Sequence, residues 1–179
     1  MREPFFCIRV LQDCKCLKYE LLIINQYLEV FMMKTEKQLY RLGLERKLVA
    51  KELPQFEFHD IEKDTYIEGW VNIYGSSAEF KLRLVLGNFP DDLPKLFVVS
   101  PAKLPKYNGC GTINSKGSSH EFHTLSNGPG EVVQICHFKR DWWDSSKTTV
   151  AVLMKGIYWL ESYCAYLKSG RSISTYCTS

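Results

Sequence analysis

Residues 79–99 read EFKLRLVLGNFPDDLPKLFVV, and this stretch decides the class of fold. From Phe80 to Leu86, apolar residues alternate with mostly charged ones, the period of two expected of a strand with one buried face. A proline-containing turn follows at 89–94, and the apolar run at 96–99 predicts the next strand. Strands joined by so short a connection pair antiparallel, because a parallel pair needs a long crossover.

The same alternation extends upstream and predicts two further strands, around 56–58 and 65–74. The four strands together form an antiparallel meander. A helix over 35–53 is predicted before them, because Thr35 and Gln38 have the spacing of a capping box and Pro54 ends the pattern. Its predicted apolar stripe is Leu39, Leu42, Val49 and Leu53.

Downstream, residues 101–131 have no usable period, and such long loops are commonly functional. A short apolar run at 132–135 then ends at Cys136. A final helix is predicted from Ser145 or Ser146 to about Lys168, with Gly170 as its stop. Its apolar face comprises Val150, Leu153, Ile157, Leu160, Cys164 and Leu167. The predicted fold class is therefore α+β.

Composition narrows the classes of function. The chain has 179 residues, 45% of them hydrophobic and 24% charged, with a formal net charge of +3. This composition is typical of one globular domain. Because the charge is small and dispersed, electrostatic binding to nucleic acid or to an anionic membrane is not expected. The apolar run at 21–33 contains Asn25, Gln26 and Glu29, so a membrane span and a secretory signal are not expected.

Seven cysteines, an odd number without an export signal, favour reduced thiols and a cytoplasmic location. Residues 1–33 differ from the rest and are interpreted as an N-terminal extension, with the main domain over 34–179. Two interpretations of that extension stay open. Either the native start is Met33, or residues 17–31 form a genuine extra helix.

Cys136 is the leading candidate for chemistry, because it lies where an apolar run meets the polar segment 137–141. Lys139 and Arg140, with a contribution from His137, would supply the positive charge that makes a thiolate reactive. The alternative is a buried strand cysteine. Cys164 is predicted to be core, and packing is the expected function of Trp142 and Trp143.

Two further chemistries use the histidines. A zinc site could combine Cys110, Cys136, His120 and His123, but these spacings match no familiar module, and solvated loop histidines are the favoured interpretation. A cysteine hydrolase would use Cys136 as nucleophile and His123 or His59 as base, and would need these groups to be adjacent in space.

The chain over about 34–170 resembles a ubiquitin-conjugating (E2) domain. That family has a first helix, a four-stranded antiparallel meander and a Tyr-Pro-x-x-x-Pro turn, here Phe89-Pro90-Asp91-Asp92-Leu93-Pro94. A long irregular stretch then leads to Ile-Cys, a tryptophan and a helix. Here these are Ile135-Cys136, Trp143 and the segment from Ser146.

The chain departs from the family at the His-Pro-Asn motif, in whose region stands His123-Thr124-Leu125-Ser126-Asn127. The stretch between Pro94 and Cys136 is also longer than in eukaryotic members. Together with Trp159-Leu160-Glu161 and the ending at 167–171, these features resemble bacterial E2-like proteins of antiphage operons, most closely those of type II CBASS systems.

The resemblance implies a thioester relay without cofactor or metal. Cys136 would capture the C-terminal glycine of a partner protein, in such systems a cyclic-oligonucleotide (CD-NTase-type) synthase, and an E1-like protein is a possible second partner. Asn127 would stabilise the oxyanion, and His123 would brace the loop. The alternative is a non-catalytic E2-fold module that binds a protein partner.

Overall fold

The computed structural model describes residues 34–61 and 64–177. The predictions for the extension over 1–33, including the extra helix at 17–31 and the start at Met33, lie outside the described residues.

The structure confirms the α+β class. Within the described residues it contains an antiparallel sheet and two α-helices, and neither helix has the length and apolar character needed to cross a membrane. The elements are α1 Glu36–Glu52, β1 Phe56–His59, β2 Tyr66–Asn72, β3 Glu79–Val85, β4 Lys95–Ser100, β5 Thr124–Leu125, β6 Val133–Ile135 and α2 Thr149–Ser169.

Over the residues that the structure describes, the sheet has six strands in the order β1-β2-β3-β4-β6-β5, so the prediction of four strands was incomplete. The run at 132–135 forms β6, which pairs antiparallel with β4 through Leu96 and Ile135. Strand β5 lies in the stretch predicted to be irregular and pairs with β6. Strands of two and three residues are too short to show a period in the sequence, and only the pairing reveals them.

Helix α1 begins as predicted. The Thr35 hydroxyl accepts from the Gln38 amide, and the Gln38 side chain accepts from the Thr35 amide, which completes the capping box. Leu42 and Val49 are buried, but Leu39 is 41% exposed, contrary to the predicted stripe. The buried face of α1 instead includes Glu45, which lies on the other side of Leu42 and Val49 and is 3% exposed.

Helix α2 begins later than predicted, at Thr149. The Asp144 carboxylate accepts from the Ser146 amide and closes a separate turn, whereas the Thr148 hydroxyl accepts from the Ala151 amide and caps the helix. Gly170 ends the helix in a left-handed conformation, as predicted (φ 73°). The buried stripe is rotated from the predicted one and runs through Val152, Leu153, Gly156, Trp159, Leu160 and Tyr163.

Gly156 lets α2 lie close to the sheet. A Cβ atom at this position would lie 2.6 Å from Leu96 Cδ2 and 3.0 Å from Leu82 Cδ1, and both leucines are fully buried. The absent side chain therefore sets the depth at which the middle of α2 packs on β3 and β4.

A buried carboxylate joins the two helices. Glu45 accepts hydrogen bonds from Arg41 Nε (2.8 Å), from the Thr149 amide (2.8 Å) and from Thr149 Oγ1 (2.7 Å). The Arg41 guanidinium also donates to the carbonyls of Ser145 and Lys147. This network fixes the start of α2 against α1.

The Gly69→Ala variant should be destabilised. Its Cβ atom would lie 2.4 Å from the carbonyl oxygen of Gln55, and backbone cannot move aside as a side-chain end can. We expect a loss of about 1–3 kcal/mol in the free energy of unfolding, measured by urea denaturation. Gly43→Ala is the control, because no atom of the described part of the chain lies within 4 Å of its Cβ and the exchange within α1 should stabilise by roughly 0.5–1 kcal/mol. Equal stability of the two variants would contradict the prediction.

Candidate active site

A cleft of about 300 Å³ opens where β6 ends. The segment before β5, the segment after β6, the middle of α2 and the end of the described chain all contribute to it. Its lining includes His120, His123, Cys136, Lys155, Tyr158 and Cys177. The cleft therefore contains two of the three residues predicted to be catalytic.

The structure brings Cys136 and His123 together through the pairing of β5 with β6. Thr124 lies opposite Ile135, so the next pair along is His123 and Cys136, and the Cys136 amide donates to the His123 carbonyl at 2.9 Å. His123 has a left-handed backbone (φ 49°), a conformation that is uncommon outside glycine and is often found at functional sites. Trp159 Nε1 donates to the Phe122 carbonyl at 2.9 Å and so fixes this loop to α2.

The Cys136 side chain is half-buried, and its burial raises the pKa of the thiol. The charge that opposes this effect and lowers the thiol pKa comes from Lys155 on α2. The prediction that Lys139 and Arg140 supply this field is therefore wrong. The Lys139 ammonium lies 4.6 Å from the Trp142 ring centroid, and Arg140 lines a second cleft.

The surroundings of His123 favour the neutral form of its imidazole. Burial lowers its pKa, and the nearby His120, whose ring centroid is 5.5 Å away, lowers it further. A neutral imidazole has one nitrogen without a proton. His123 can therefore accept a proton in the cleft that holds Cys136.

Asn127 is not brought to this cleft. Its side-chain amide donates to the Asn114 carbonyl at 2.8 Å and to Glu131 Oε2 at 3.1 Å. Both amide hydrogens are thus engaged within the loop that leads into β6, and Asn127 is absent from the cleft lining. This geometry gives no support to the predicted oxyanion function of Asn127.

The zinc-site alternative is wrong for the described residues. Among residues 34–61 and 64–177, no three His, Cys, Asp or Glu side chains are grouped so as to hold a metal ion. Cys110 is exposed and does not line the Cys136 cleft.

His59 does not reach Cys136 either. It ends β1 at the opposite edge of the sheet from β5, where its ring stacks on that of Tyr66. Of the two bases considered for a hydrolase, the structure leaves only His123. Cys164 is 6% exposed on α2, which confirms its assignment to the core.

The two tryptophans have different surroundings. Trp143 packs as predicted, since its Nε1 donates to the Pro90 carbonyl at 3.0 Å and its ring contacts Phe89 and Phe138. Trp142 is 60% exposed at the cleft, so the prediction of packing is wrong for it.

Lys155 and Tyr158 were missed from the sequence, because they look like ordinary exposed positions of a helix. The one available signal was the lysine within the apolar sequence VAVLMKGIYWL.

His137 lies between the Cys136 cleft and a second cleft of about 550 Å³ lined by Leu93, Pro94 and Arg140 among others. Its Nε2–H donates to the Pro94 carbonyl at 2.9 Å. Nδ1 is buried and has no hydrogen-bond partner among the described residues, so a proton there would have no acceptor. Burial accordingly lowers the pKa of His137 to about 4. The charge of Lys155 also lowers this pKa, whereas the hydrogen bond to Pro94 raises it.

Stability should therefore fall as the pH is lowered from 6.5 towards 4. In this window His137 binds a proton in the unfolded chain, at its ordinary pKa of 6.5, but not in the folded one. The free energy of unfolding should drop by about 1.4 kcal/mol per pH unit, about 3 kcal/mol in all. Urea denaturation of the native chain and of His137→Gln across this range measures the effect. Parallel pH profiles for the two proteins would contradict it.

Comparison of the chain with protein-family models, with curated proteins and with solved structures gave no match.

Proposed function

We propose that this protein is an E2-like transferase that carries an acyl group as a thioester on Cys136. The observation that supports this most directly is that Cys136 lines an open cleft that His123 also lines, and that the two residues are neighbours across the pairing of β5 with β6. The order of elements agrees with the proposal. A helix, a meander, a proline-containing turn, a long loop, a cysteine and a second helix follow one another as in the ubiquitin-conjugating fold.

The proposed reaction has two steps. First, the Cys136 thiolate attacks the carbonyl carbon of an activated C-terminal glycine, a C–S bond forms, and the activating group departs with its electron pair. An acceptor amine then attacks the thioester carbonyl, the C–N bond forms, and the C–S bond breaks to return the thiolate. The proton lost by the amine goes to His123. Cysteine suits this relay because capture divides one difficult acyl transfer into two easier steps.

The proposed donor is a partner protein that ends in glycine, of the cyclic-oligonucleotide synthase type found beside E2-like proteins in CBASS systems. A free carboxylate does not acylate a thiol, so an ATP-dependent E1-like protein would deliver the terminus in activated form. The second cleft adjoins the Cys136 cleft through His137 and Phe138, which line both, so a bound partner can contact the two clefts together.

The test is incubation of the full chain with such a synthase, an E1-like protein and ATP, followed by non-reducing electrophoresis. We expect an adduct that a thiol reductant removes and that a small amine, such as hydroxylamine, discharges. Binding of the synthase without an adduct would identify the non-catalytic module instead. Release of a shortened synthase in the absence of ATP would identify a cysteine hydrolase instead. The placement of His123 beside Cys136 favours this alternative.

A further inference from the structure

The site needs a group that stabilises negative charge at Cys136. Both the thiolate and the oxyanion of the tetrahedral intermediate carry a full negative charge, and burial of the cysteine disfavours that charge. In the sequence Asn127 was the candidate for this function, but its two amide hydrogens are bonded to Asn114 and Glu131. Another donor is therefore required.

The cleft contains few candidates for this donor. His123 and His137 are disfavoured as cations by their burial, and His120 and His123 lie beside each other on the loop before β5. From α2 the cleft is faced by Lys155 and Tyr158, from the segment after β6 by Lys139, and from the end of the described chain by Cys177. No Asp or Glu lines the cleft among the described residues, so its charge is positive.

The two lysines differ in placement. The Lys139 ammonium lies 4.6 Å from the ring centroid of Trp142, and it is the charge of Lys155, not that of Lys139, that lowers the pKa of the Cys136 thiol. The Lys155 ammonium lies 4.3 Å from the ring centroid of Phe138, two residues beyond Cys136, and makes no ion pair with a described carboxylate. Lys155 precedes Gly156, where α2 packs closely on Leu82 of β3 and Leu96 of β4, so its backbone position is fixed by core packing.

We propose that Lys155 is the catalytic cation of this cleft, and that its ammonium stabilises the Cys136 thiolate and then the oxyanion of the tetrahedral intermediate. The second half of this proposal rests on the proposed transferase function, whereas the first half does not. Lys155, on α2, would thus take the place of the amide donor that the His-Pro-Asn motif supplies in the ubiquitin-conjugating family and that this chain lacks.

The thiolate half is tested by alkylation of the full chain. Reaction of Cys136 with neutral iodoacetamide and with anionic iodoacetate is followed against pH, and the Cys136 peptide is quantified by mass spectrometry. Lys155→Met should lower the iodoacetamide rate at pH 7 about threefold, because loss of the positive charge raises the pKa of the Cys136 thiol and so lowers the fraction present as thiolate. It should also lower the ratio of iodoacetate to iodoacetamide rates, and Lys155→Arg should restore both.

Lys139→Met is the matched control, since it removes the same charge from the same cleft. It should leave the pH midpoint and the rate ratio of Cys136 close to those of the native chain. An unchanged midpoint and ratio in Lys155→Met, or equal changes in Lys139→Met, would overturn the proposal. Both lysines are exposed, so neither variant should fail to fold.

The oxyanion half is tested by single-turnover transfer to an amine. Loss of one enclosed oxyanion donor lowers rates by about 10²–10³, and for this open cleft we expect about a tenfold loss in Lys155→Met. Because this reaction starts from the preformed thioester, ionisation of the free thiol does not enter the rate, so the loss should be seen at neutral pH, where Lys155 is a cation, and Lys155→Arg should recover most of it. Transfer at the native rate under those conditions would overturn this half. If the native chain forms no thioester while alkylation still responds to Lys155, the transferase proposal fails and the charge assignment stands.

Discussion

The Cys136→Ser variant should lose the reductant-sensitive adduct completely and should slow amine transfer by about 10³-fold or more. The variant keeps the size and position of the side chain but replaces the sulfur that would hold the acyl group. An ester on serine oxygen resists thiol reductants and aminolysis, so any adduct that does form should survive reduction. Non-reducing and reducing electrophoresis of the same reaction distinguish the two outcomes.

Cys177→Ser provides the matched control for this experiment. Cys177 lines the same cleft as Cys136, and its thiol lies 3.5 Å from Ser162 Oγ. We expect the reductant-sensitive adduct to form on this variant at the native rate. An adduct that is lost in Cys177→Ser and kept in Cys136→Ser would show that the nucleophile has been assigned to the wrong cysteine.

Replacing Glu45 with alanine should destabilise the protein by about 3–5 kcal/mol. The carboxylate is buried and accepts from Arg41 and from two donors of Thr149, which is itself fully buried. Its removal leaves the Thr149 amide and hydroxyl without their partner and opens a cavity between the helices. Urea or thermal denaturation measures the loss, and α2 should be the first element to lose protection from hydrogen exchange.

Glu52→Ala is the control for this substitution. Glu52 lies on the same helix, and its only ion pair among the described residues is an exposed one with Lys51. Exposed pairs of this kind contribute little, so the variant should unfold at nearly the native denaturant concentration. A similar loss in Glu52→Ala and Glu45→Ala would show that the cost comes from α1 helicity rather than from the buried network.

Long periodic elements of this fold could be predicted from the sequence, and short paired ones could not. The alternation at 80–86 and the capping box at Thr35 were sufficient for β3 and α1, because these signals are local. Strands β5 and β6 depend on hydrogen bonds between residues distant in sequence, so no window of the chain reveals them. The start of α2 was placed too early because Ser145 and Ser146 are capping residue types as Thr148 is, and only the backbone shows that Thr148 is used.

The residues of the candidate site also divide into those with a local signal in the sequence and those whose contribution depends on tertiary contacts. Cys136 was found because an apolar run ends at it, which is a local signal. His123 was predicted because it lies in the segment that stands in the region of the His-Pro-Asn motif. The pairing of β5 with β6 then places it opposite Cys136. Lys155 could not be found, since its contribution depends on the approach of α2 to the sheet. Asn127 was assigned by sequence offset alone, and the offset does not record that Asn114 and Glu131 occupy its amide.

The edge of the sheet at β5 is closed by the chain itself. Ser119 exchanges two backbone hydrogen bonds with Thr124, each of 3.0 Å, on the side of β5 that faces away from β6. An uncovered edge is a template on which a second molecule can add a strand, and such growth leads to aggregation. Because the main-chain groups of Thr124 are already occupied, they offer no unpaired donor or acceptor to a strand from a second molecule.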